Sequence, residues 1–247
     1  MSCVVVSGAK SVEETLANSV FQGTVLGPPL WNVFCADARH AVRELGYIET
    51  IFADDFNCWK GFRNSERRSL PVELRHEIES RGAQQDLHKW GAANRVIFDP
   101  SKEEFILIRR RNALGNPFKL LGLVFDPQLL MRIGARKIAT DAGWRLQSIL
   151  RARRYYSTPE LMRLYKANVL SFIESGVAGY FHAAPSTLEC IDRVQRRFLR
   201  RIGLTDEQAL LDFRLAPLKV RREIGILGFL HRVILGQVSG QISELFP

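Results

Sequence analysis

Apolar and polar positions follow two different patterns along the chain. Val4 to Val6 form a short branched run that stops at Ser7-Gly8. Pro28-Pro29 then opens a stretch in which Leu30, Phe34, Ala38, Ala41 and Leu45 recur at helical spacing as far as Gly46. Two short runs rich in aromatic and branched residues come next, 48–53 and 56–60, separated only by Asp54-Asp55, which is hairpin spacing. A polar helix is expected from about 71 to 94. Strands are expected at 95–98, 105–109 and 118–125, punctuated by Asp99-Pro100 and Asn116-Pro117.

Beyond Asp126-Pro127 only helical spacing remains, with Ile138, Ala142, Leu146 and Ile149 on one stripe. Ser157-Thr158-Pro159-Glu160, Ser186-Thr187-Leu188-Glu189 and Thr205 to Gln208 have the capping-box form, in which hydroxyl and carboxylate or amide satisfy free backbone N–H groups reciprocally. The pattern predicts an α+β part over 1–130 and an all-α part over 131–247, with no internal repeat.

Charge sharpens this division. The formal net charge is +9, yet residues 1–130 hold 16 Lys/Arg against 16 Asp/Glu, and residues 202–247 hold 5 against 5. The excess lies in residues 131–201, with 14 against 5, and Arg supplies most of it: Arg151, Arg153, Arg154, Arg193, Arg196, Arg197, Arg200 and Arg201. Guanidinium forks suit phosphate oxygens, so a polyanion is the natural partner. Arg196, Arg197, Arg200 and Arg201 are spaced to line one helical face while Phe198 and Ile202 face inward. Cys3, Cys35, Cys58 and Cys190 fall at no disulfide or zinc spacing, which suits a reducing compartment. No run reaches the ~18 apolar residues of a membrane span, and the first ten residues lack the order of a signal peptide. A soluble intracellular chain is expected, with no membrane partner.

Candidate chemistry centres on the acids between the two apolar runs. Adjacent carboxylates resist joint ionisation unless a cation neutralises them. Mg²⁺, with Mn²⁺ as an alternative, takes oxygen ligands and keeps waters and substrate phosphates, so one or two protein carboxylates suffice. That is the economy of phosphoryl transfer, where paired ions lie ~3.5–4 Å apart.

The order of motifs carries a resemblance. Phe21-Gln22-Gly23-Thr24-Val25-Leu26-Gly27-Pro28-Pro29-Leu30-Trp31-Asn32 is similar to the Gln-Gly-x-x-Leu-Gly-Pro-x-Leu-x-Asn motif of reverse transcriptases, and Phe52-Ala53-Asp54-Asp55 resembles their (Tyr/Phe)-x-Asp-Asp motif, in the same order. Leu87 to Asn94, followed by Phe98-Asp99-Pro100-Ser101-Lys102-Glu103, looks like the Trp-x-x-x-Asn … Lys-x-Glu segment of the non-LTR retrotransposon enzymes. Phe118 to Asp126 resembles their Leu-Leu-Gly hairpin. Leu161 to Tyr165, Glu174-Ser175-Gly176 and Val194 to Arg200 are similar to the region after their polymerase core.

The resemblance implies an RNA-directed DNA polymerase that extends a primer 3′-hydroxyl on an RNA template with deoxynucleoside triphosphates. Asp54 and Asp55 would hold the metal, and Lys102 would assist pyrophosphate departure as a proton donor. Gln22, Gly23, Leu26 and Gly27 would lie against nucleotide and template, Leu121 and Gly122 would grip the primer, and the arginines, Arg151, Arg153 and Arg154 among them, would meet the nucleic-acid backbone. The implied fold is a truncated palm, an antiparallel sheet with helices, followed by a thumb-like helical domain.

One departure from the family pattern matters. A further catalytic Asp is expected on a strand upstream of Gln22, but the 20 residues before Phe21 offer only Glu13 and Glu14, in no strand-like run. Asp37 reads as a helix residue. The resemblance therefore implies a fragment without fingers or endonuclease, not expected to polymerise alone unless an upstream segment is supplied. The alternatives are a non-catalytic nucleic-acid-binding relic that uses the Arg-rich helices, and a group II intron maturase.

Overall fold

The structure is a computed structural model that describes residues 5–6, 9–12, 25–61, 72–110, 113–238 and 242. It mixes α and β and divides into two compact units, Met1–Phe105 and Ile106–Pro247. No helix among the described residues is long and apolar enough to cross a membrane.

In the first unit, β1 (Val5–Val6) pairs antiparallel with β2 (Ala9–Lys10). The helix expected after Pro28-Pro29 is two helices, α1 (Gly27–Phe34) and α2 (Ala38–Arg43), joined by a turn at 35–37. The break puts Cys35, Ala38 and Val42 together on the buried side, where one continuous helix would have turned Phe34 and Leu45 inward. Strand β3 (Ile48–Phe52) pairs antiparallel with β4 (Asp55–Trp59), and Phe52 stands opposite Asp55. The loop is therefore Ala53-Asp54, one residue earlier than the acids suggest, and Asp55 is the first residue of a strand. This register sets half-buried Ile51 across from half-buried Phe56, an apolar pair that a shift by one residue would lose.

Helix α3 (Val72–Asn94) ends at Arg95, whose φ of +59° turns the chain back on itself. Val96 N–H donates to the Gly91 carbonyl at 2.8 Å. A Cβ at Gly91 would stand 2.7 Å from the Val96 oxygen and 2.9 Å from the Phe98 ring, so the returning segment packs where only glycine leaves room. Residues 95–98 are thus a folded-back cap and not the strand expected there. Val42, Tyr47 and Ala83, with Phe56 against them, form this unit's small core.

The second unit opens with a single bridge between Leu107 and Leu114 in place of a strand over 105–109. Its hairpin is β5 (Phe118–Leu120) and β6 (Leu123–Phe125). Helices follow: α4 (Arg132–Arg151), then α5 (Thr158–Tyr165), which continues through a π-helical turn over Lys166–Leu170 into α6 (Ser171–Ser175), and α7 (Val177–Tyr180). The last three are α8 (Pro185–Ile202), α9 (Asp206–Phe213) and α10 (Leu218–Ile234). Leu146, Tyr165, Ile173, Tyr180, Ile191 and Phe198 are at the centre of one core, and the Tyr165 and Phe198 rings stack at 4.2 Å. Arg222, itself buried, bonds both oxygens of Asp192 at 2.6 and 3.0 Å and ties α10 to α8.

Capping boxes form at Ser157 with Glu160 and at Thr205 with Gln208. The one expected at Ser186 does not form, because α8 starts earlier, at Pro185, whose fixed φ suits the first helical position, and Glu189 pairs with Arg196 instead. The units divide between Phe105 and Ile106, where the change to an all-helical pattern suggested 130. The reason is packing: Leu123 and Phe125 lie against Gly176 and Gly179, and the Val124 carbonyl lies against Gly134, so the hairpin belongs to the helical unit. The antiparallel pairings are separate two-stranded hairpins among the described residues.

Two glycines of α4 should respond oppositely to alanine. A Cβ at Gly134 would sit 2.2 Å from the Val124 oxygen, whereas one at Gly143 would meet nothing within 4 Å. Urea denaturation is expected to show Gly134→Ala destabilised by about 1–3 kcal/mol. Gly143→Ala should be stabilised by about 0.5–1 kcal/mol through helix propensity. A stabilised Gly134→Ala would contradict the hairpin's placement on α4.

Candidate functional site

The first unit brings one end of the expected glutamine-glycine segment to the aspartate turn. Leu26 caps α1, Gly27 is its buried first residue, and Pro28-Pro29 supply the fixed φ that starts it. One turn further on, the Trp31 indole N–H donates to the Ala53 carbonyl at 2.6 Å. Gln22 and Gly23 themselves lie outside the described residues. Trp31 also begins an aromatic chain: its ring is 5.8 Å from Phe34, which is 5.9 Å from Trp90, which is 6.4 Å from Phe98. The same run of rings thus fixes α1 to α3 and to the cap that follows α3.

At the turn, Ala53 has a φ of +53°, a conformation that costs an L-residue ~1–2 kcal/mol. Asp54 and Asp55 are exposed, and no cationic side chain among the described residues engages either. Below them, Glu49 on β3 is only 1% exposed and accepts from Arg43 Nε and Nη2 at 2.8 and 2.7 Å. Burial would raise the Glu49 carboxyl, but the Arg43 hydrogen bonds, its own backbone N–H and the charges of Arg43 and Arg39 hold it below the usual range. The strand that presents the aspartates is therefore clamped at both ends, by an ion pair to α2 and an indole bond to α1.

Lys102 sits exposed on the 3₁₀ turn Pro100–Lys102, with its ammonium 3.9 Å from Asp99. Its ion pair is to Asp99, not to Asp54 or Asp55. Neighbouring Glu103 accepts from Gln84 and shares a 2.5 Å hydrogen bond with His88 Nε2, on the wall of an open cleft of about 520 Å³ along α3. Asp37 stands at the N-cap of α2.

Two carboxylates at one turn fit a hard divalent cation that completes its shell with water and phosphate oxygens. Among the described residues no group of three His, Cys, Asp or Glu comes together, so the donor set stops at Asp54 and Asp55.

In the second unit, Leu121 and Gly122 are the two loop residues between β5 and β6, with φ of +47° and +86°. Positive φ at both positions is the sign of a type I′ turn, for which Asn-Gly would be the low-cost choice. A leucine there, 59% exposed, gives up both backbone ease and burial.

Helix α8 turns Phe198 fully inward and leaves Arg193, Arg196, Arg197, Arg200 and Arg201 exposed. Arg196 pairs with Glu189, and Arg197 reaches Gln147 of α4 at 3.4 Å. Arg200 and Arg201 fill the last turn, where cations complement the helix dipole, before the left-handed Gly203 cap. Arg151 ends α4, and Arg153 and Arg154 lie on the 3₁₀ turn after it, the latter 4.7 Å over the Tyr155 ring. Burial pushes the Cys190 thiol up, while the charges of Arg193 and Arg136 pull it down.

Sequence reading missed the Trp31 bond and the Glu49–Arg43 pair. An acid inside an apolar strand run was the available signal for Glu49, and a tryptophan in the helix after Gly27-Pro28 was the signal for Trp31. No family model matches the chain, and neither a curated protein nor a solved structure matches it.

The Glu49 pair makes a pH prediction. A carboxyl held below its ordinary value stabilises the folded state above the unfolded pKa and stops doing so as pH falls through its folded value. The first unit should therefore lose stability on acidification. Arg43→Gln should cost about 2–3 kcal/mol at neutral pH by leaving a buried acceptor short of its donors, and should flatten that acid loss. A neutral-pH stability unchanged in Arg43→Gln, measured by chemical denaturation, would contradict the clamp.

Proposed function

We propose that the chain carries part of an RNA-directed DNA polymerase of the non-LTR retroelement type, joining deoxynucleoside triphosphates to a primer 3′-hydroxyl. The first unit is read as part of the palm and the helical unit as the thumb-like region. The observation that supports this reading best is the Trp31–Ala53 hydrogen bond, which joins the helix after Leu26-Gly27-Pro28 to the loop bearing Asp54. Two motifs recognised separately in sequence are thereby neighbours in space.

Asp54 and Asp55 would hold Mg²⁺ or Mn²⁺. Bound there, the cation supplies charge stabilisation for phosphoryl transfer. The chain's own contribution is position. The Arg43–Glu49 pair and the Trp31 bond keep the turn from swinging, and a reacting centre misplaced by about 1 Å loses about 100-fold in rate. Gln22, Gly23, Leu26 and Gly27 are assigned to nucleotide and template, Leu121 and Gly122 to the primer, and Lys102 to pyrophosphate departure. Lys102 has to exchange its Asp99 partner for substrate.

A second reading is favoured by the exposed arginines of α8 and the end of α4: the helical unit binds a nucleic-acid backbone, with or without catalysis. Its affinity should then fall steeply as salt rises.

Primer extension on an RNA template with Mg²⁺ tests the enzymatic reading. With an upstream segment carrying the further catalytic Asp supplied, incorporation is expected from the parent and should drop at least about 100-fold in Asp54→Ala, the upper end of what loss of even a ligand's hydrogen-bond partner does. Incorporation by neither protein, or equally by both, overturns it.

A further inference from the structure

Trp144 is a large aromatic side chain left open to solvent. It is 68% exposed on the crest of α4, and among the described residues no ring stacks on it. Tryptophan normally buries most of a ~150–250 Å² surface, so an indole left open in a folded helix is unspent contact area.

Its surroundings are basic. Lys137, Trp144 and Arg151 are seven residues apart and share one side of the helix. On the flank toward α8, Gln147 bonds Arg197, and His182, just before α8, bonds the Leu129 carbonyl, just before α4, at 2.9 Å. Residue 129 beside 182 and 147 beside 197 means that α4 and α8 run parallel there. Trp144 thus lies alongside the span from Arg193 to Arg197. Gly143, half-buried next to it, has open space where a side chain would stand. The acids of this strip are already engaged, Asp141 with Lys137 at 2.9 Å, Glu189 with Arg196, and Asp192 with Arg222. Arg151, Arg193 and Arg197 therefore remain as exposed positive charge along the strip that carries the indole.

We infer that this face of α4 and α8 is a binding site for an unpaired polynucleotide strand, with one base stacked on Trp144 and the flanking phosphates on Arg193, Arg197 and Arg151. Paired bases already stack on each other and hide their faces, so an exposed indole discriminates for single strands, whereas arginines alone accept any phosphate backbone. The inference rests on the second reading above, the basic face as a nucleic-acid surface, and adds which form of nucleic acid it takes and which side chain reads it.

The test is fluorescence anisotropy of the full chain with a labelled oligothymidylate of about 20 nucleotides and with a duplex of equal length, between about 50 and 200 mM salt. Trp144→Ala should weaken oligothymidylate binding about 5- to 100-fold, the range for loss of one base–aromatic stack, and leave duplex binding within about twofold. Trp144→Phe, which keeps a ring, should recover most of the lost affinity. Because the indole is exposed, neither substitution removes core packing. Salt-sensitive binding that Trp144→Ala leaves unchanged, or weakens equally for strand and duplex, overturns the stacking site while the basic face stands. So does a Trp144→Phe chain as weak as Trp144→Ala. Binding of neither nucleic acid overturns the basic-face reading, and this inference falls with it.

Discussion

A single hydrogen bond, from the Trp31 indole to the Ala53 carbonyl, decides whether the paired aspartates are a site or a loose surface loop. A two-residue hairpin loop has few internal contacts of its own, and Ala53 occupies a backbone region that is costly for any residue but glycine. Such a loop persists only where its surroundings over-determine it. Here the indole fixes one side and the buried Glu49–Arg43 pair fixes the strand beneath. Two exposed like charges can then sit side by side at a defined place, which is what a cation with an otherwise watery shell needs from a protein.

The helical unit meets a different constraint with the same economy. Its core is continuous from Met131 to Leu218, and α8 contributes Leu188, Ile191, Val194, Phe198 and Leu199 to it. Every position on that helix not needed inside is free to be charged, and arginine fills most of the outer ones. Close approach of the β5–β6 hairpin is possible because glycines stand at 134, 176 and 179. The strained, exposed Leu121 is thereby carried on a rigid base. Strain of this kind on a well-anchored loop is where a contact to something else is usually made.

Much of this was legible in the sequence. The period-3.6 stripe of Ile138, Ala142, Leu146 and Ile149 is buried as its spacing predicts, and the Ser157 and Thr205 caps form because their partners stand at the required offset. The hairpin around the aspartates was legible too, but its loop was displaced by one residue, since acids signal a turn while the Ile51–Phe56 pair sets the register. The strand expected at 95–98 failed because β-branched and aromatic residues also suit a chain folding back on a helix, and the decisive signal was Gly91, a glycine inside a helix. The boundary falls elsewhere because the change from mixed to helical pattern follows local sequence whereas units follow packing. Within the candidate site, the aspartates stand out in the sequence as adjacent acids at a hairpin turn. The bonds that hold them, Trp31 to Ala53 and Arg43 to Glu49, are tertiary and leave no periodic trace.

The Trp31 indole proton is a direct reporter of the central claim. It can be followed by NMR against the indoles of Trp59, Trp90 and Trp144 while Mn²⁺ is added. Trp59 lies at the far end of the hairpin from Asp55, about 14 Å along the strand, and is an internal control. If Asp54 and Asp55 hold the cation beside the indole latch, paramagnetic broadening should reach Trp31 first and disappear in Asp54→Asn. Broadening of all four indoles alike, or of Trp31 unchanged by that substitution, would contradict it.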